Sequence, residues 1–382
     1  VRIFFYVCCV GKISKTKKKR VIISDTNDLG TDKRVLKIAQ SLAGWGFEII
    51  LVGRKIPERS LPNSNFKLKL FRMRFHSGVA FYTEFNVKLF FFLMFCKADI
   101  FLANDLDTLA ANFAAAKLRR KPLVYDSHEL YTEVPELVTR PHKQRIWLKL
   151  EKYVFPKLKY TYTVCASISD YYFKKYGIRP AVVRNIPTCK NSAQIIFVPK
   201  ISDKKIILYQ GALNMGRGIE YVVEAMSFIE DAVFVIIGTG TIDADLKQRV
   251  SELALNEKVM FLGRIPSEQL SAYTRQASVG VSVEQNIGLN YYFALPNKLF
   301  DYIHAEIPVL VSDLPEMRRI VETHKIGEIT NDFSPENLAI MLKAMLSDDY
   351  KKTLINNILQ AKKQLCWESE SQVLKRIFYQ IK

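Results

Sequence analysis

The chain is poor in the patterns that identify an enzyme at sight. Its 382 residues hold six cysteines, at 8, 9, 96, 165, 189 and 366, and only the first two are close. No pair of Cys-x-x-Cys motifs occurs and the five histidines form no cluster, so spacing argues against a structural zinc site and favours a reducing compartment. No serine stands in a Gly-x-Ser-x-Gly elbow; Ser167-Ile168-Ser169-Asp170 reads as a helix cap. Gly238-Thr239-Gly240 lacks the third glycine of a dinucleotide fingerprint, since Ala244 stands nearby instead. Long apolar runs are also missing. Residues 1–10 are too few to span a bilayer, and the Lys/Arg run at 12–20 follows them, the reverse of a secretory leader. Residues 1–20 therefore read as an apolar and basic extension. Phe90–Cys96 is short and lies between charges, which argues against a spanning segment.

What is present is an ordinary globular composition, 49% apolar and 25% charged, with an extraordinary distribution of charge. Residues 1–187 hold 34 Lys/Arg against 15 Asp/Glu, whereas residues 188–382 hold 22 against 23. The whole excess of +18 thus belongs to the first half. It points to an anionic partner there: a membrane surface or a phosphorylated or polyanionic acceptor. Nucleic acid is not expected, because no recognised binding motif accompanies the charge.

Apolar strand patterns alternate with helical ones along the chain. Val21–Ser24, a helix with apolar positions at 35, 38, 39, 42 and 43, and Phe47–Val52 form a first βαβ unit. Asp99–Ala103, Leu123–Tyr125, Tyr162–Val164 and Ala181–Val183 continue the half. A second series begins after Arg184-Asn185-Ile186-Pro187, with strands at 205–209, 233–237, 259–262, 279–283 and 309–312. The pattern predicts an α/β protein of two doubly wound parallel sheets, spanning 21–187 and 188–365. The segment 362–381 has helical spacing and could pack on either half.

Chemistry is expected at the carboxyl ends of these strands, where open parallel sheets bind ligands. Pro296-Asn297-Lys298-Leu299-Phe300-Asp301 starts a helix after a strand, with Asn297, Lys298 and Asp301 on one face. A lysine can neutralise diphosphate oxygens and a carboxylate can accept ribose hydroxyl protons. Gly211, Gly216 and Gly218 surround Arg217, where glycine lets backbone N–H groups approach a phosphate. His128 lies between carboxylates in Tyr125-Asp126-Ser127-His128-Glu129. Asp105-Leu106-Asp107 imitates a metal motif, but Asp107 reads as the cap of a helix over 108–118.

Together these stretches carry a resemblance. Asn104-Asp105-Leu106-Asp107-Thr108, Tyr125–Glu133, Leu208–Gly211 with Gly216-Arg217-Gly218, Val235–Gly238, Phe261-Leu262-Gly263 and Pro296–Tyr302 occur in the order found in the GT-B glycosyltransferases. Residues 20–382 resemble the large retaining group called family 4 or group 1. The resemblance implies two Rossmann-like domains facing a cleft, the first for the acceptor and the second for a nucleoside-diphosphate sugar. A final helix near Trp367, about 366–382, would cross back to the first domain. It also implies a metal-independent transfer with no cofactor, in cell-surface polysaccharide or glycolipid assembly. The partners implied are a nucleotide-sugar donor and a glycan, lipid-linked or other anionic acceptor. The implied setting is cytoplasmic, with peripheral contact at the inner membrane face.

By position, the resemblance assigns Gly30 and Thr31 to the donor phosphates, His128 to the transferred sugar, Arg217 and Lys298 to the diphosphate and Asp301 to the ribose. His128, Arg217 and Lys298 are the expected catalytic group. Gly211, Gly216, Gly218, Gly238, Gly263 and Asn297 complete the expected donor site. The group's usual pair of glutamates, separated by seven residues, is missing: Phe293 stands eight before Asp301. Ala212 also replaces a frequent arginine. Glu284, Asn290 and Tyr291 are the candidates to contact the sugar instead. Two rivals follow from the same residues: a nucleotide-sugar epimerase using Asp126, Glu129, Glu133 or Glu284, and an inactive sugar-nucleotide-binding subunit.

Overall fold

The computed structural model describes residues 18–30, 32–56, 66–189 and 197–381, so Thr31 and most of the basic extension lie outside the described residues. Thirteen described strands form two sheets, and every pairing is parallel. The first sheet contains β1 (Arg20–Ser24), β2 (Glu48–Arg54), β3 (Lys67–Phe71), β4 (Ile100–Asn104), β5 (Leu123–Ser127), β6 (Tyr160–Thr163) and β7 (Ala181–Val182), in the order 3-2-1-4-5-6-7. The second contains β8 (Lys205–Gln210), β9 (Ala232–Ile237), β10 (Val259–Gly263), β11 (Val279–Ser282), β12 (Val309–Ser312) and β13 (Gly327–Thr330), in the order 10-9-8-11-12-13. In each sheet the order reverses beside the first strand, and such switch points open a crevice at the strands' carboxyl ends.

The strands form because β-branched and aromatic residues fill both faces. Ile22 and Ile23, or Val233 and Phe234, are buried on opposite sides of their sheets. Two strands escaped the sequence pattern. The edge strand β3 reads Lys-Leu-Lys-Leu-Phe, with two exposed lysines, and β13 contains a glycine and a glutamate. Charge on an edge strand limits further pairing, which is why an edge reads unlike a core strand.

Helix boundaries bring two corrections. Asp32 caps the helix Lys33–Gly44 by accepting the Val35 N–H. Asp107, by contrast, is no cap: the helix starts at Asp105, three residues before the expected 108, and Asp107 lies inside its first turn. The apolar run near 90–96 is the end of an 18-residue helix, Gly78–Phe95, long and apolar enough to cross a membrane by length and composition. Here it packs on the helix Asp105–Arg119 through Phe85, Leu89 and Leu93, while Val79, Val87, Phe91 and Phe95 face outward.

The helix Trp367–Tyr379 lies on the first sheet rather than the second. Trp367, Leu374 and Phe378 join the core built by Val21, Ile38 and Leu51, and Trp367 Nε1 donates to Ser41 Oγ at 2.8 Å. Arg184 donates through Nε (3.0 Å) and Nη2 (2.5 Å) to one oxygen of Glu370. The helix is therefore part of the first domain's core. Phe378→Ala should cost about 3–5 kcal/mol in denaturant unfolding, as large core truncations do. Phe91→Ala, on the outward face of Gly78–Phe95, should stay within about 0.5 kcal/mol; equal losses would contradict this packing.

Candidate functional site

Between the domains lies a cleft of about 1160 Å³, and it is lined by eight Lys/Arg side chains against three Asp/Glu. The cations come from both halves: Lys33, Arg34, Lys37, Arg217, Arg264, Arg275, Lys298 and Lys362. A cavity with this imbalance attracts a polyanion such as a diphosphate.

On the second-domain wall, Lys298 rides on the first turn of the helix Asn297–His304 and Arg217 on the loop after β8. Glu284, just past β11, sits behind both. It accepts a hydrogen bond from Lys298 Nζ at 2.8 Å and from Ser282 Oγ at 2.7 Å, and Arg217 Nη1 lies 3.7 Å away. Burial opposes the Glu284 charge, but Lys298 and Arg217 outweigh it and hold the carboxyl below its ordinary value. Glu284 has no exposed surface and does not line the cleft. It is a counter-charge to the two cations, not a contact for the sugar. Lys298 is itself nearly buried, with its ammonium 3.9 Å from the Tyr209 ring centroid, and burial lowers its pKa more than Glu284 restores it. Arg217 is freer: it lies 5.1 Å over the Tyr291 ring and borders the cleft.

The other expected donor residues separate into two groups. Gly211, Gly238, Asn290, Tyr291, Asn297 and Asp301 line the cleft. Asp301 accepts from Gln210 Nε2 at 2.9 Å, and its carboxyl is raised by burial against the pull of Lys33 and Lys37. Gly216, Gly218 and Gly263 do not line it. At Gly218, φ is +69° and an added Cβ would fall 2.1 Å from the Val283 carbonyl, so glycine serves backbone packing there rather than phosphate approach. Gly30 is also outside the lining, and its N–H donates to Asp28 Oδ1. Thr31 falls outside the described residues. Asn290 and Tyr291 are already engaged: Asn290 receives the Leu130 N–H and donates to Glu129 across the domain interface, and Tyr291 donates to the Met215 carbonyl.

On the first-domain wall, His128 stands between two carboxylates. Its Nε2 is 3.0 Å from Asp126 Oδ2 and its Nδ1 3.3 Å from Asp105 Oδ2, while its backbone N–H donates to Asp105 Oδ1. Burial disfavours the imidazolium, but Asp105 and Asp126 outweigh it and push the pKa up to about 10. Asp126 in turn receives Arg34 Nε and Nη2 at 2.9 and 2.7 Å, and Arg34 Nη1 donates to the Val183 carbonyl. Both ring nitrogens of His128 are thus occupied, and the ring presents its edge and a positive charge to the cleft. Sequence reading missed Arg34; its signal was a basic residue beside Val35, Ile38 and Leu42 on the helix's buried face.

Asp105 and Asp107 border a second cavity of about 1040 Å³, within the first domain but reaching Arg217, Asn290 and Tyr291. Burial raises Asp105 to about 7 despite His128, and raises Asp107 to about 6 despite the hydroxyl of Thr26. Asp107 Oδ1 is buried without a hydrogen-bond partner and is directed by position, not by any cap. Tyr82, Phe91 and Trp147 form apolar wall, with Arg54, Arg140 and Lys143 also lining it.

Comparison with known proteins fits both halves. Residues 30–191 match the model of Glycosyltransferase Family 4, and residues 191–363 that of Glycosyl transferases group 1. The chain belongs to the group 1 glycosyltransferases. It is 30% identical over 161 residues to an uncharacterised glycosyltransferase of Methanocaldococcus jannaschii, a match spanning 41% of this chain and 39% of that protein. Among solved structures, sucrose-phosphate synthase from Thermosynechococcus elongatus is similar at TM-score 0.72 and 18% identity, over 95% of this chain and 99% of that one. Anabaena HepE in complex with UDP and glucose is similar at TM-score 0.71 and 15% identity, over 94% and 99%. These two likenesses concern the fold, which is GT-B.

In this group 1 glycosyltransferase the folded-state pKa values of His128 and Asp105 both lie above their unfolded ones. Each group therefore stabilises the fold at low pH and loses that contribution as pH rises, Asp105 on passing about 7 and His128 on passing about 10. Lys37, lowered to about 8 by burial, works in the opposite sense above that pH. The wild type's advantage over His128→Gln should thus shrink from pH 7 to pH 10, with a slope approaching about 1.4 kcal/mol per unit. Parallel unfolding profiles for the two proteins would mean that the imidazole is neutral.

Proposed function

We propose that this chain transfers a sugar from a nucleoside-diphosphate donor to an acceptor seated in the first domain, with retention of configuration and without metal or cofactor. The observation that carries the reading is the arrangement of Arg217 and Lys298 over Glu284, with His128 held cationic on the facing wall. A departing nucleoside diphosphate develops charge on its oxygens. Cations fixed beforehand in a site that excludes water stabilise that charge without reorganising. Asp301, steadied by Gln210 Nε2, would receive the ribose hydroxyls.

The acceptor would occupy the second cavity. Asp107 borders this cavity and its buried Oδ1 lacks a partner, so a small shift of the carboxylate would let it accept a hydrogen bond from an acceptor hydroxyl. Away from the cleft the wall becomes apolar and continues into the outward face of Gly78–Phe95, where Val79, Val87, Phe91 and Phe95 are exposed. Arg54, Arg140 and Lys143 supply positive charge around it. A saccharide joined through phosphate to an apolar chain fits that gradient, as in glycolipid or cell-surface polysaccharide assembly. The protein would then work on the cytoplasmic side, touching the inner membrane face through this surface.

Arg217→Ala should lower kcat/KM by about 2–4 kcal/mol of transition-state stabilisation with little change in Tm. Lys298→Ala should do the same but also destabilise the fold, because it strands a buried carboxylate at a cost of about 3–5 kcal/mol. Near-normal kinetics in Arg217→Ala would reject the phosphate site. Donor turnover that needs no acceptor would favour an epimerase. Activity abolished by a chelator and restored by magnesium would reject metal-independent transfer.

The membrane contact has its own test. Vesicles containing anionic lipid should bind the full chain and release it as salt rises, since each basic residue near such a surface adds about 1 kcal/mol. Phe95→Glu, at an exposed position outside the cavity lining, should weaken binding while leaving transfer to a soluble acceptor intact. Undiminished binding would remove Gly78–Phe95 from the surface.

A further inference from the structure

Three potential metal donors meet where the chain crosses between the domains. Cys189 lies on the first crossing, shortly after Pro187, and Cys366 and Glu368 lie on the second, where the helix Trp367–Tyr379 begins. The two sulfurs and a carboxylate oxygen all lie within 4.8 Å of one another. The crossings are already joined by backbone: Trp367 N–H donates to the Pro187 carbonyl at 2.8 Å, and Cys189 N–H donates to Glu368 Oε2 at 2.8 Å. These bonds fix the donors relative to one another before any ligand arrives.

We propose that Cys189, Cys366 and Glu368 bind one soft divalent cation of the zinc class, which ties the two crossings together at the hinge end of the donor cleft. Zinc takes thiolate at about 2.3 Å and carboxylate oxygen at about 2.0–2.2 Å, giving a tetrahedron with edges of roughly 3.5–3.8 Å. The observed separations allow that figure. Cys366 is buried and Cys189 exposed, so solvent can reach the cluster from one side and fill the fourth position. A third, anionic donor beside the sulfurs favours a cation over a simple disulfide, to which a carboxylate contributes nothing. Burial, with Cys366 and Glu368 alongside, pushes the Cys189 thiol up to about 12. Binding would exchange two thiol protons for the cation: one divalent ion enters, two S–H bonds break, and two protons pass to solvent.

The ligands hide in the sequence because 177 residues separate the cysteines. The cation is distinct from any metal used in transfer, and its effect is mechanical. It would restrain the hinge about which the domains open. Cys189 and Lys362 also line the cleft, which places the cluster at its edge.

The test uses the full chain with Cys8→Ser and Cys9→Ser, since those adjacent thiols could hold metal themselves. The reduced, chelated protein is titrated with zinc, and separately with cobalt, whose thiolate charge-transfer band reports sulfur ligation. One ion per chain, a cobalt–thiolate band and a raised Tm are expected. Cys189→Ser should abolish the band. Glu368→Gln should weaken zinc at least as much as the roughly 10–100-fold known for groups that only support a ligand. Absence of stoichiometric binding would overturn the proposal. So would unchanged affinity in Glu368→Gln, particularly if oxidised glutathione then cross-links Cys189 to Cys366, which marks a dithiol pair instead. These readouts involve no donor or acceptor and are independent of the transfer reaction.

Discussion

The first domain depends on one buried carboxylate. Asp126 has no exposed surface, yet it ends β5 where a charge is costly. Arg34 reaches it from the helix after β1, and His128 from the loop after β5. Arg34 also holds the Val183 carbonyl beyond β7, and His128 holds Asp105 at the end of β4. Three strand ends and the helix Lys33–Gly44 are thereby fixed by one chain of alternating charges. Burying an unpaired ion costs several kcal/mol, so no member can leave without stranding its neighbour. Asp105 takes a left-handed φ of +53°, a conformation that Asp and Asn adopt more readily than other non-glycine residues. The alternation also fixes the sign of the charge that the wall turns to the cleft, which is positive at His128.

The second domain solves the same problem with opposite polarity. There one buried carboxylate, Glu284, supports two cations, and the surplus charge faces the cleft through Arg217. The departure from the group's usual pair of glutamates acquires a physical meaning from this arrangement. Phe293 leaves the usual position apolar, and its backbone carbonyl instead receives Cys165 Sγ of the first domain at 3.4 Å. Glu284 lies seventeen residues before Asp301 and beneath the surface, so it cannot replace a glutamate that reaches the sugar. Asn290, which lines the cleft on that side, has its amide occupied by Leu130 and Glu129 while the domains touch.

Much of this was legible in the sequence because strand composition and helical spacing are local. The alternation of apolar runs located eleven strands, and the ordered motifs identified the fold. The edge strands β3 and β13 were hidden by their polar residues, and Gly78–Phe95 by a helix apolar on nearly every side, which carries no periodic signal. The site was legible only in part. Lys298, Asp301 and Arg217 follow strand ends and could be placed. The direction of a side chain could not: Glu284 points inward, and Gly216 and Gly218 accommodate neighbours instead of a phosphate. Arg34 pairs with Asp126 across 92 residues, and such pairing has no local trace.

The two domain contacts flanking the cleft differ in kind, and that difference bears on how a donor enters. At the hinge, Trp367, Leu374 and Phe378 are sunk in the first domain's core, so separation there would expose large apolar surface. Across the cleft mouth polar contacts join a smaller apolar one, in which Leu289, Phe293 and Leu295 pack on the first-domain cluster of Leu106, Leu130 and Ile168. Glu316 accepts Ser167 N–H and Oγ at 2.7 and 2.6 Å, and Asn290 bridges Leu130 and Glu129. Hydrogen bonds of this type exchange for bonds to water at a net cost of only about 0.5–1.5 kcal/mol each. Opening the mouth would break these bonds and also uncover Leu289, Phe293 and Leu295, while the hinge helix stays sunk in its core. A donor bridging Arg217 and Lys298 to the His128 wall would oppose that opening, because its charge interacts with both sides only when they are close. Closure of that kind would keep water from an activated sugar until an acceptor is present.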